Sequence, residues 1–465
     1  MSLVLKAQNH VQSRGVMLRL ILPIIKNTFV NSISHHRFTM NFTGASTLDQ
    51  WYLIVPNYFF MVITILMTII ILHWLFFIPC SWRKDINHSS HILNAAHLIK
   101  LKSDKQASVN RLRRSRLTGL KELPPPFPNG WFSILESSLL KPQNVKYVSC
   151  LGEHFLVFRT KDGQVNVLDA YCPHLGANIG IGGQVKGDNI ECPFHQWTFR
   201  GSDGTCMNIP YSLTDAKSTK VRRWMCRETN DNIFVWYHSE SEKIQWELPV
   251  ITAIENKEIV FHGRNEFFVS CHIQDIPENG ADMAHFSAVH RACLLTGMEY
   301  SDQGILAKYG KHHWQSVWNA TALPISHLAE LHLKHYFQLI PKCRLFHIDV
   351  KATQIGPAYV HLRLKSSMFG SMEILQTVTP VEPLMQHVVH RFYAHKALGP
   401  LVKIMILAES IMFERDIAVW NYKTFWRKPQ LVKEDTSIKK FRKWFSQFYT
   451  ENSKSFAEAC ATMNW

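Results

Sequence analysis

The sequence predicts an α+β protein built in three parts, and three observations lead to this fold class. Trp51 to Trp82 contains no Asp, Glu, Lys or Arg, which predicts a single helix inside a membrane. Short β-rich runs separated by turn residues extend from Phe132 to about His238, which predicts a β-rich domain. Strand patterns and helical spacing are mixed from about residue 245 to the end, which predicts an α+β domain.

Composition and charge are typical of a folded chain with a membrane-facing segment. The chain has 465 residues, 46% of them hydrophobic, and its ten cysteines are mostly scattered, so we expect reduced thiols that face the cytosol. The net charge is +15, and Pro79 to Leu123 alone carries ten Lys or Arg against three Asp or Glu. This favours contact with anionic lipid. No array of basic and aromatic residues indicates a nucleic-acid partner.

Tyr58 to Ile78 is the segment that we expect to cross the bilayer. Its 21 residues would make about 31 Å of helix at ~1.5 Å per residue, which matches the hydrocarbon core. A buried core helix is the alternative. Arg83 and Lys84 follow at once, so the positive-inside rule predicts a lumenal N-terminus and a cytosolic remainder.

We expect five segments along the chain, with boundaries set by these changes in composition. A proline-rich stretch, Pro124 to Pro128, stiffens the end of the basic connector and precedes the first folded domain. The segments are a lumenal tail at 1–57, a transmembrane helix at 58–78, a connector at 79–129, a β-rich domain at 130–240 and a catalytic domain at 241–465.

Two pairs of metal-ligand residues lie in the β-rich domain. Cys172 and His174 form the first pair, and Cys192 and His195 form the second, with seventeen residues between the pairs. Two thiolates and two imidazoles can hold a [2Fe–2S] cluster in which both His bind one iron. A Cys2His2 zinc site is the alternative, although zinc fingers rarely mix one Cys with one His in each pair.

A second string of ligand residues lies in the α+β domain. Asn279, Asp282, His285 and His290 follow one another, and two His plus a carboxylate can bind iron while leaving coordination positions open. Asp282 and His285 would share a face of an ideal helix, but His290 would lie about 140° away from His285 at ~3.6 residues per turn. The string therefore predicts a break or a π-bulge between Phe286 and Val289.

Other close His pairs occur in the same domain, and we interpret them as solvated or core residues. They are His327 with His332, His332 with His335, and His387 with His390. Helical spacing predicts a helix from Leu401 to Trp426 that offers Glu409, Glu414 and Asp416 as carboxylates.

The first ligand string, with Trp197 and the Gly204–Pro210 stretch after it, resembles the cluster domain of the Rieske non-haem iron oxygenases. The second string resembles the mononuclear-iron motif of the same family, and the resemblance covers residues ~125–430. It implies that His285, His290 and Asp416, an Asp followed by Trp420, bind the iron, with Glu414 as the alternative. It also implies a helix-grip type catalytic domain and an electron-transfer bridge at Asp282, which in the family joins the subunits of a trimer.

The membrane span, the proline-rich entry and the Met412–Asn421 string look most like the membrane-anchored animal branch of this family. That branch removes two hydrogens from C7 and C8 of cholesterol to give 7-dehydrocholesterol, with O2 and electrons from NAD(P)H. No glycine-rich nucleotide loop is evident, so a separate reductase is expected. The endoplasmic reticulum is the expected membrane. Leu323–Leu333 and Val378–Phe392 are candidate pocket segments.

Three other functions stay open from the sequence. A sterol or lipid hydroxylase would use the same two iron sites, and its product would differ by one oxygen. A non-catalytic Rieske electron carrier would hold the cluster but would not need the string from Asn279 to His290 with Asp416. A scaffold that has lost its metals is the third, although every ligand position is filled.

Overall fold

The computed structural model describes residues 47–84, 123–213, 216–296, 310–340, 342–368, 370–421 and 423–461. Two units, Met1–Ile70 and Ile71–Trp465, divide the chain. Most of the predicted lumenal tail and most of the predicted connector, at 1–46 and 85–122, lie outside the described residues.

A long apolar helix, α1, covers Thr47–Phe77 and begins in the first unit. Its segment Phe60–Phe77 has a mean hydropathy of 2.5, and none of it is buried. Among the described ranges it is the one helix long and apolar enough to cross a membrane. The hydroxyls of Thr64 and Thr68 donate to backbone carbonyls four residues earlier, so the helix satisfies these polar groups itself. The predicted span at 58–78 therefore coincides with an observed apolar helix.

Three small antiparallel sheets form the β-rich part of the second unit, in the orders β3-β4-β5, β6-β7-β8-β9 and β10-β11-β2. Their strands are β2 Gly130–Glu136, β3 Val145–Cys150, β4 Glu153–Arg159, β5 Val165–Asp169, β6 Gln184–Lys186, β7 Asn189–Glu191, β8 Thr198–Arg200, β9 Cys206–Asn208, β10 Cys226–Thr229 and β11 Asn232–Tyr237. The predicted hairpin of β4 and β5 is confirmed, with Phe155 paired to Asp169. Apolar side chains from β4 and β8 are fully buried and form the core here.

One eight-stranded sheet dominates the rest of the unit, in the order β1-β12-β18-β17-β16-β15-β14-β13. Its strands are β1 Cys80–Lys84, β12 Val260–Val269, β13 Lys311–Ala320, β14 Leu328–Ile340, β15 Cys343–Ile355, β16 Tyr359–Ser366, β17 Gly370–Glu382 and β18 Met385–Ala394. Neighbouring strands are antiparallel, except that β1 runs parallel to β12 at the edge.

Six further helices accompany this sheet in the described ranges. They are α2 Thr252–Glu255, α3 Asp275–Glu278, α4 Met283–Val289, α5 Gly399–Trp420, α6 Thr436–Phe445 and α7 Phe456–Ala461. The longest, α5, starts two residues before the predicted helix and ends six residues before the predicted end. It packs on the sheet through Phe413, Ile417 and Trp420, and Asn265 of β12 donates to the carbonyl of Ile406 at 2.8 Å. A long helix packed on an antiparallel sheet fits the expected α+β class.

The first turn of α5 lies against the last turn of α1, inside the second unit. A side-chain carbon at Gly399 would lie 2.7 Å from the carbonyl oxygen of Leu75, so the close approach requires glycine. Lys403 Nζ donates to the carbonyl of Ile78 at 2.7 Å and lies 5.2 Å from the ring centre of Trp74. The start of α5 is thus held by contacts with the end of α1 and the residue that follows it.

Candidate metal centres and the cavity beside them

Cys172 and Cys192 begin two loops of the same construction, one after β5 and one after β7. In each loop the Cys N–H donates to the carbonyl five residues on, at 2.8 Å. The N–H four residues on donates back to the Cys carbonyl, at 2.9 Å from Gly176 and 3.1 Å from Gln196. Both of these residues have positive φ, +73° and +59°, which turns the backbone tightly. The two predicted ligand pairs therefore sit in matched turns.

The four side chains of these loops meet in one place. The ring centres of His174 and His195 lie 4.6 Å apart, and Trp197 stacks on His174 at 4.7 Å. Nδ1 of His174 is buried and has no hydrogen-bond partner in the described part of the chain. Cys172 and Cys192 are both buried. Burial, with the neighbouring Cys192, raises the pKa of Cys172 to about 11.

This arrangement fits a metal cluster. A bound cation would stabilise the thiolate form of a thiol that is otherwise hard to ionise. It would also accept the lone pair of an imidazole nitrogen that has no hydrogen-bond partner. A purely structural core would leave His174 Nδ1 as an unexplained buried polar atom.

His285, His290 and Asp416 also come together, and each has one ligand atom within 4.8 Å of the others. Nε2 of His290 lies 3.1 Å from Oδ1 of Asp416. Nδ1 of His285 lies against the backbone carbonyl of Asp282, which leaves Nε2 of His285 for a metal. Burial lowers the pKa of His285 while the Asp416 carboxylate opposes that shift, so burial favours the neutral imidazole that metals bind.

The helix geometry around this group differs from the prediction in one respect. Asp282 is not in the helix: it is the N-cap of α4, with φ −90° and ψ 99°, and its carboxylate accepts the N–H groups of Ala284 and His285. The predicted break is an end of the helix, because α4 stops at Val289 and His290 has φ −106° and ψ 13°. His290 can therefore turn toward His285 without a π-bulge.

Arg415, next to Asp416 on α5, ties the two metal-ligand segments together. Its fully buried guanidinium donates to the carbonyls of Ala292 at 3.0 Å and Cys293 at 3.1 Å, just after α4. Glu414, the alternative ligand, is outside the group of three in the described ranges and accepts a hydrogen bond from Ser410 at 3.1 Å.

The group of three opens onto a cavity of about 230 Å³ between the sheet and α5. Most of its lining is apolar, including Trp318, Leu331, Leu362, Ile374, Phe413 and Trp420. Of the two candidate pocket segments, Leu323–Leu333 contributes Ala329 and Leu331, and Val378–Phe392 contributes His390. A buried metal site beside an apolar cavity suits chemistry on an apolar substrate.

Sequence reasoning missed the cavity role of four polar residues, Gln354, Gln376, His390 and Glu409. In a chain with 25 His, the sequence gives no reason to interpret the His387 and His390 pair as other than solvated or core residues, and it offers Glu409 only as a possible ligand. The structure places all four in the cavity wall. The sequence contained one signal for the cavity role of His390. It lies on β18 at a position where the period-two pattern predicts an inward-facing apolar side chain.

Two stretches of the chain match known domain families. Residues 130–220 match the Rieske [2Fe-2S] domain, and residues 235–449 match the 3-ketosteroid 9alpha-hydroxylase C-terminal domain. The chain is 46% identical over 412 residues to cholesterol 7-desaturase nvd of Drosophila melanogaster. This match covers 88% of this chain and 96% of that protein. The chain belongs to the cholesterol 7-desaturase family of Rieske oxygenases. This family is a narrower group than the proteins that share the Rieske [2Fe-2S] domain.

Further relatives extend the family. Cholesterol 7-desaturase of Caenorhabditis elegans is 37% identical over 75% of this chain and 82% of that protein. A probable 3-ketosteroid-9-alpha-monooxygenase oxygenase component of Rhodococcus rhodochrous is 28% identical over 65% of this chain and 75% of that protein. The structure of dicamba monooxygenase bound to dicamba shares the fold, with a TM-score of 0.52 and 13% identity over 70% of this chain and 98% of that one. The predictions of an oxidoreductase and of a Rieske [2Fe–2S] domain are confirmed.

Proposed function

We propose that this protein removes two hydrogens from C7 and C8 of cholesterol to give 7-dehydrocholesterol. O2 is reduced to water, and a separate reductase supplies the electrons from NAD(P)H. The observation that supports this most is the group of His285, His290 and Asp416, the last two of them buried, which opens onto an apolar cavity. The relatives named for this reaction, 37–46% identical over most of the chain, support the choice of substrate.

Cys172, His174, Cys192 and His195 would hold the [2Fe–2S] cluster. The matched turns and the unpartnered Nδ1 of His174 support a metal site here, and the match of residues 130–220 to the Rieske [2Fe-2S] domain favours the cluster over zinc. When bound, the cluster supplies electrons one at a time at a potential raised by its imidazole ligands. The loops would hold the two Cys ligands in the interior. They would hold the two His ligands nearer the surface, where His174 and His195 are only partly covered.

His285, His290 and Asp416 would hold the mononuclear iron, and the position of Asp416 in the group supports it over Glu414 as the third ligand. When bound, this iron supplies O2 activation at coordination positions that the protein leaves open. The apolar cavity wall would position the sterol rings. Because hydrogen atoms and not protons are removed, the reacting carbons need no acid or base from the chain.

Asp282 would link the two metal sites through hydrogen bonds between ligand imidazoles. Among the described residues no contact joins Asp282 to His174 or His195 of the same chain. A link between subunits of a homotrimer fits this, and the part-exposed position of Asp282 supports it. The carboxylate would then orient a ligand imidazole of each site.

The proposed location is a single-pass membrane protein of the endoplasmic reticulum, with the catalytic part in the cytosol. The apolar segment Phe60–Phe77 and the basic residues that follow it in the sequence support this. A sterol dissolved in the bilayer would then be close to the enzyme. The proposed domain division keeps its boundaries of 130–240 for the cluster domain and 241–465 for the catalytic domain.

A sterol hydroxylase is the second candidate, because residues 235–449 match the 3-ketosteroid 9alpha-hydroxylase C-terminal domain. Hydroxylation and desaturation start with the same removal of one hydrogen atom, so the iron site cannot distinguish them. The candidate predicts a product that is heavier by one oxygen instead of lighter by two hydrogens.

A product assay separates these two reactions. Membranes that contain the protein are supplied with cholesterol, O2, NADPH and a reductase-containing extract, and the sterols are resolved by mass spectrometry. A product two hydrogens lighter, with the ultraviolet absorbance of a conjugated ring diene, is expected. A product heavier by one oxygen would move the protein to the hydroxylases. No sterol product from protein loaded with both metals would contradict a sterol substrate.

A further inference from the structure

A transverse row of polar side chains crosses the cavity face of the large sheet. Strand register aligns Gln354 with Val360, Val360 with Gln376, Gln376 with His390, and His390 with Asn265. Because side chains two residues apart share a face, the next row toward the strand ends is Ala352, Leu362, Ile374 and Phe392. That row is wholly apolar. The polar row is therefore a local feature of an otherwise apolar wall.

Glu409 of α5 contacts this row at His390 and Asn265. Its Oε1 lies 2.5 Å from Nδ1 of His390, although the two atoms lack the alignment of a hydrogen bond. Asn265 Nδ2 donates to Oε2 of the same carboxylate and also to the carbonyl of Ile406. Asn265 therefore fixes Glu409 beside Nδ1 of His390, and Nε2 is the ring nitrogen that lies farther from the carboxylate.

Four buried polar atoms of the row, on Gln354, His390 and Asn265, have no hydrogen-bond partner among the described residues. His390 is 4% exposed and Gln354 is 6% exposed, and both line the cavity. Nε2 of His390 and Nε2 of Gln354 make no hydrogen bond with any residue that the structure describes. Each such atom carries a desolvation cost unless a ligand group pairs with it. With the proton on Nδ1, the remaining nitrogen of His390 is a hydrogen-bond acceptor.

The polar row lies at a definite distance from the metal group. Glu409 and Asp416 are seven residues apart on α5, so they share a face of the helix and are separated by about 11 Å along its axis. Phe413 lies between them and lines the same cavity. The cavity thus has a metal end, an apolar middle and a hydrogen-bonding end.

We propose that His390, oriented by Glu409, accepts a hydrogen bond from the C3 hydroxyl of the sterol and so sets the substrate's position. This inference rests on the proposed function for the choice of a sterol. The hydroxyl is the one polar group of cholesterol, and C7 lies at the far side of the first two rings. A sterol anchored at His390 therefore extends along Phe413 and presents its second ring to His285, His290 and Asp416.

The anchor has a consequence for specificity. A hydroxyl can donate to His390 Nε2, whereas a ketone at C3 has only lone pairs and an unsubstituted C3 has neither. Both analogues would leave the buried nitrogen unpaired. A site that hydrogen-bonds a substrate hydroxyl discriminates strongly against analogues that lack it for this reason.

Binding by the full-length, metal-loaded protein tests the anchor independently of turnover. Cholesterol, cholest-5-ene and cholest-4-en-3-one are titrated in nanodiscs, and quenching of tryptophan fluorescence reports occupancy because Trp318 and Trp420 line the cavity. The wild type is expected to bind cholesterol at least about tenfold tighter than either analogue, which corresponds to one hydrogen bond. His390→Phe should reduce this preference to about onefold, and Glu409→Gln should weaken it.

His387→Phe is the matched control, because His387 lies on the same strand, contacts a glutamate at 3.0 Å and is not part of the cavity lining. It should keep the wild-type preference. His390→Gln retains an acceptor and should restore part of it, and this variant also covers the case in which His390→Phe fails to fold. Cluster absorbance and iron content verify folding.

A wild type without preference for the hydroxyl, or a His390→Phe variant that retains the preference, would overturn the proposal. Turnover distinguishes this failure from a failure of the proposed function. If cholesterol binds with the expected preference but is not desaturated, the anchor stands and the proposed reaction fails. If cholesterol is desaturated and His390→Phe still prefers it tenfold, the anchor fails alone.

Discussion

Asp282 has two tasks that can be separated by substitution. Its carboxylate accepts the N–H groups of Ala284 and His285 and so starts the helix that carries one proposed iron ligand. The second task, the proposed electron-transfer link, depends on the negative charge. Because an N-cap needs only a side-chain oxygen and the link needs a charged acceptor, the two tasks respond differently to an amide.

Asp282→Asn should keep both metals but slow electron transfer at least about tenfold. Asn caps a helix about as well as Asp, so α4 and the iron site persist while the charge is lost. Stopped-flow oxidation of the reduced cluster measures the rate. Asp282→Ala is the comparison, since it should also destabilise the helix by ~1 kcal/mol. A wild-type rate in Asp282→Asn would exclude a bridging role.

His285→Ala should abolish turnover and lower the bound iron while leaving the absorbance of the cluster. The group would then lack an imidazole, and metal affinity depends on the full ligand set. His332→Ala is the control, because His332 belongs to a pair with the same spacing, but its side chain is 57% exposed and its Nε2 lies 3.3 Å from the Glu330 carboxylate. Iron analysis and product formation are the measurements. Retained turnover would refute the mononuclear-iron assignment.

The ligand residues could be predicted because each string is local. Cys172 and His174, or His285 and His290, are close in sequence, and the chemistry of the residue types is enough to suggest a metal. His390 and Glu409 could not be predicted, since their contact depends on how α5 lies over β18. The capping role of Asp282 was missed for a different reason: the sequence pattern places Asp282 inside the same helix as His285, whereas it precedes the first helical residue.

At the scale of elements, α5 holds the site together. It supplies Asp416 and Glu409 to the cavity wall. Arg415, the residue before Asp416, donates hydrogen bonds to two carbonyls that follow α4. Helical spacing predicted the helix, but not which residues its fully buried arginine would contact. Burial lowers the pKa of Arg415, although the guanidinium stays charged at neutral pH because its ordinary pKa is so high.

Arg415→Met should destabilise the protein by about 3 kcal/mol, because it leaves buried carbonyls after α4 without donors. It should also weaken iron binding through displacement of His290, whereas the cluster, in another sheet, should remain. Urea unfolding and separate assays of iron and cluster absorbance test this. Arg415→Lys should give an intermediate effect, since one ammonium reaches fewer carbonyls. Unchanged iron content in a stable Met variant would contradict the role.

Two buried histidines on β13 and β14 should make stability sensitive to acid. Nδ1 of His312 lies 2.8 Å from Nε2 of His335. Burial, with neighbouring histidine charges, lowers the pKa of His312 to about 3 and of His335 to about 4. Both values are below the ~6.5 of an unfolded histidine, so the unfolded state binds more protons and stability falls as pH drops.

The loss should begin near pH 6.5 and continue toward the folded-state values, with about 1 kcal/mol per histidine by pH 5.5. Urea unfolding at pH 8 and pH 5.5 measures it. His335→Gln should reduce the difference between the two pH values, because one titrating group is removed. An equal or larger difference in that variant would contradict the assignment.

At the scale of the whole molecule, the order of parts was predictable but the sheet was not. The apolar helix, the β-rich part and the mixed part follow one another as composition indicated. However, β1 lies directly after α1 in sequence and pairs with β12, far along the chain, as a parallel edge strand. Local patterns give strands, whereas such long-range pairing depends on packing that no short window contains.

Removing residues 1–84 should be far more damaging than removing residues 1–77. The shorter deletion keeps β1 and the carbonyl of Ile78 that Lys403 contacts. The longer deletion exposes the edge of β12 and leaves Lys403 without this acceptor, and bare strand edges associate. Size-exclusion chromatography and thermal unfolding compare the two. Equal melting temperatures and equal monomer fractions would show that β1 is dispensable.

The matched turns at Cys172 and Cys192 have a further consequence. Each turn contributes one sulfur and one nitrogen, so under the proposed ligation neither iron is held by a single turn. The cluster would then act as a cross-link that closes the intervening strands into a loop, much as a disulfide does. Cluster insertion would be a step in the maturation of this region. A cell with too little iron–sulfur cluster assembly would then accumulate protein in which this region is incompletely folded, instead of a folded protein that lacks only its activity.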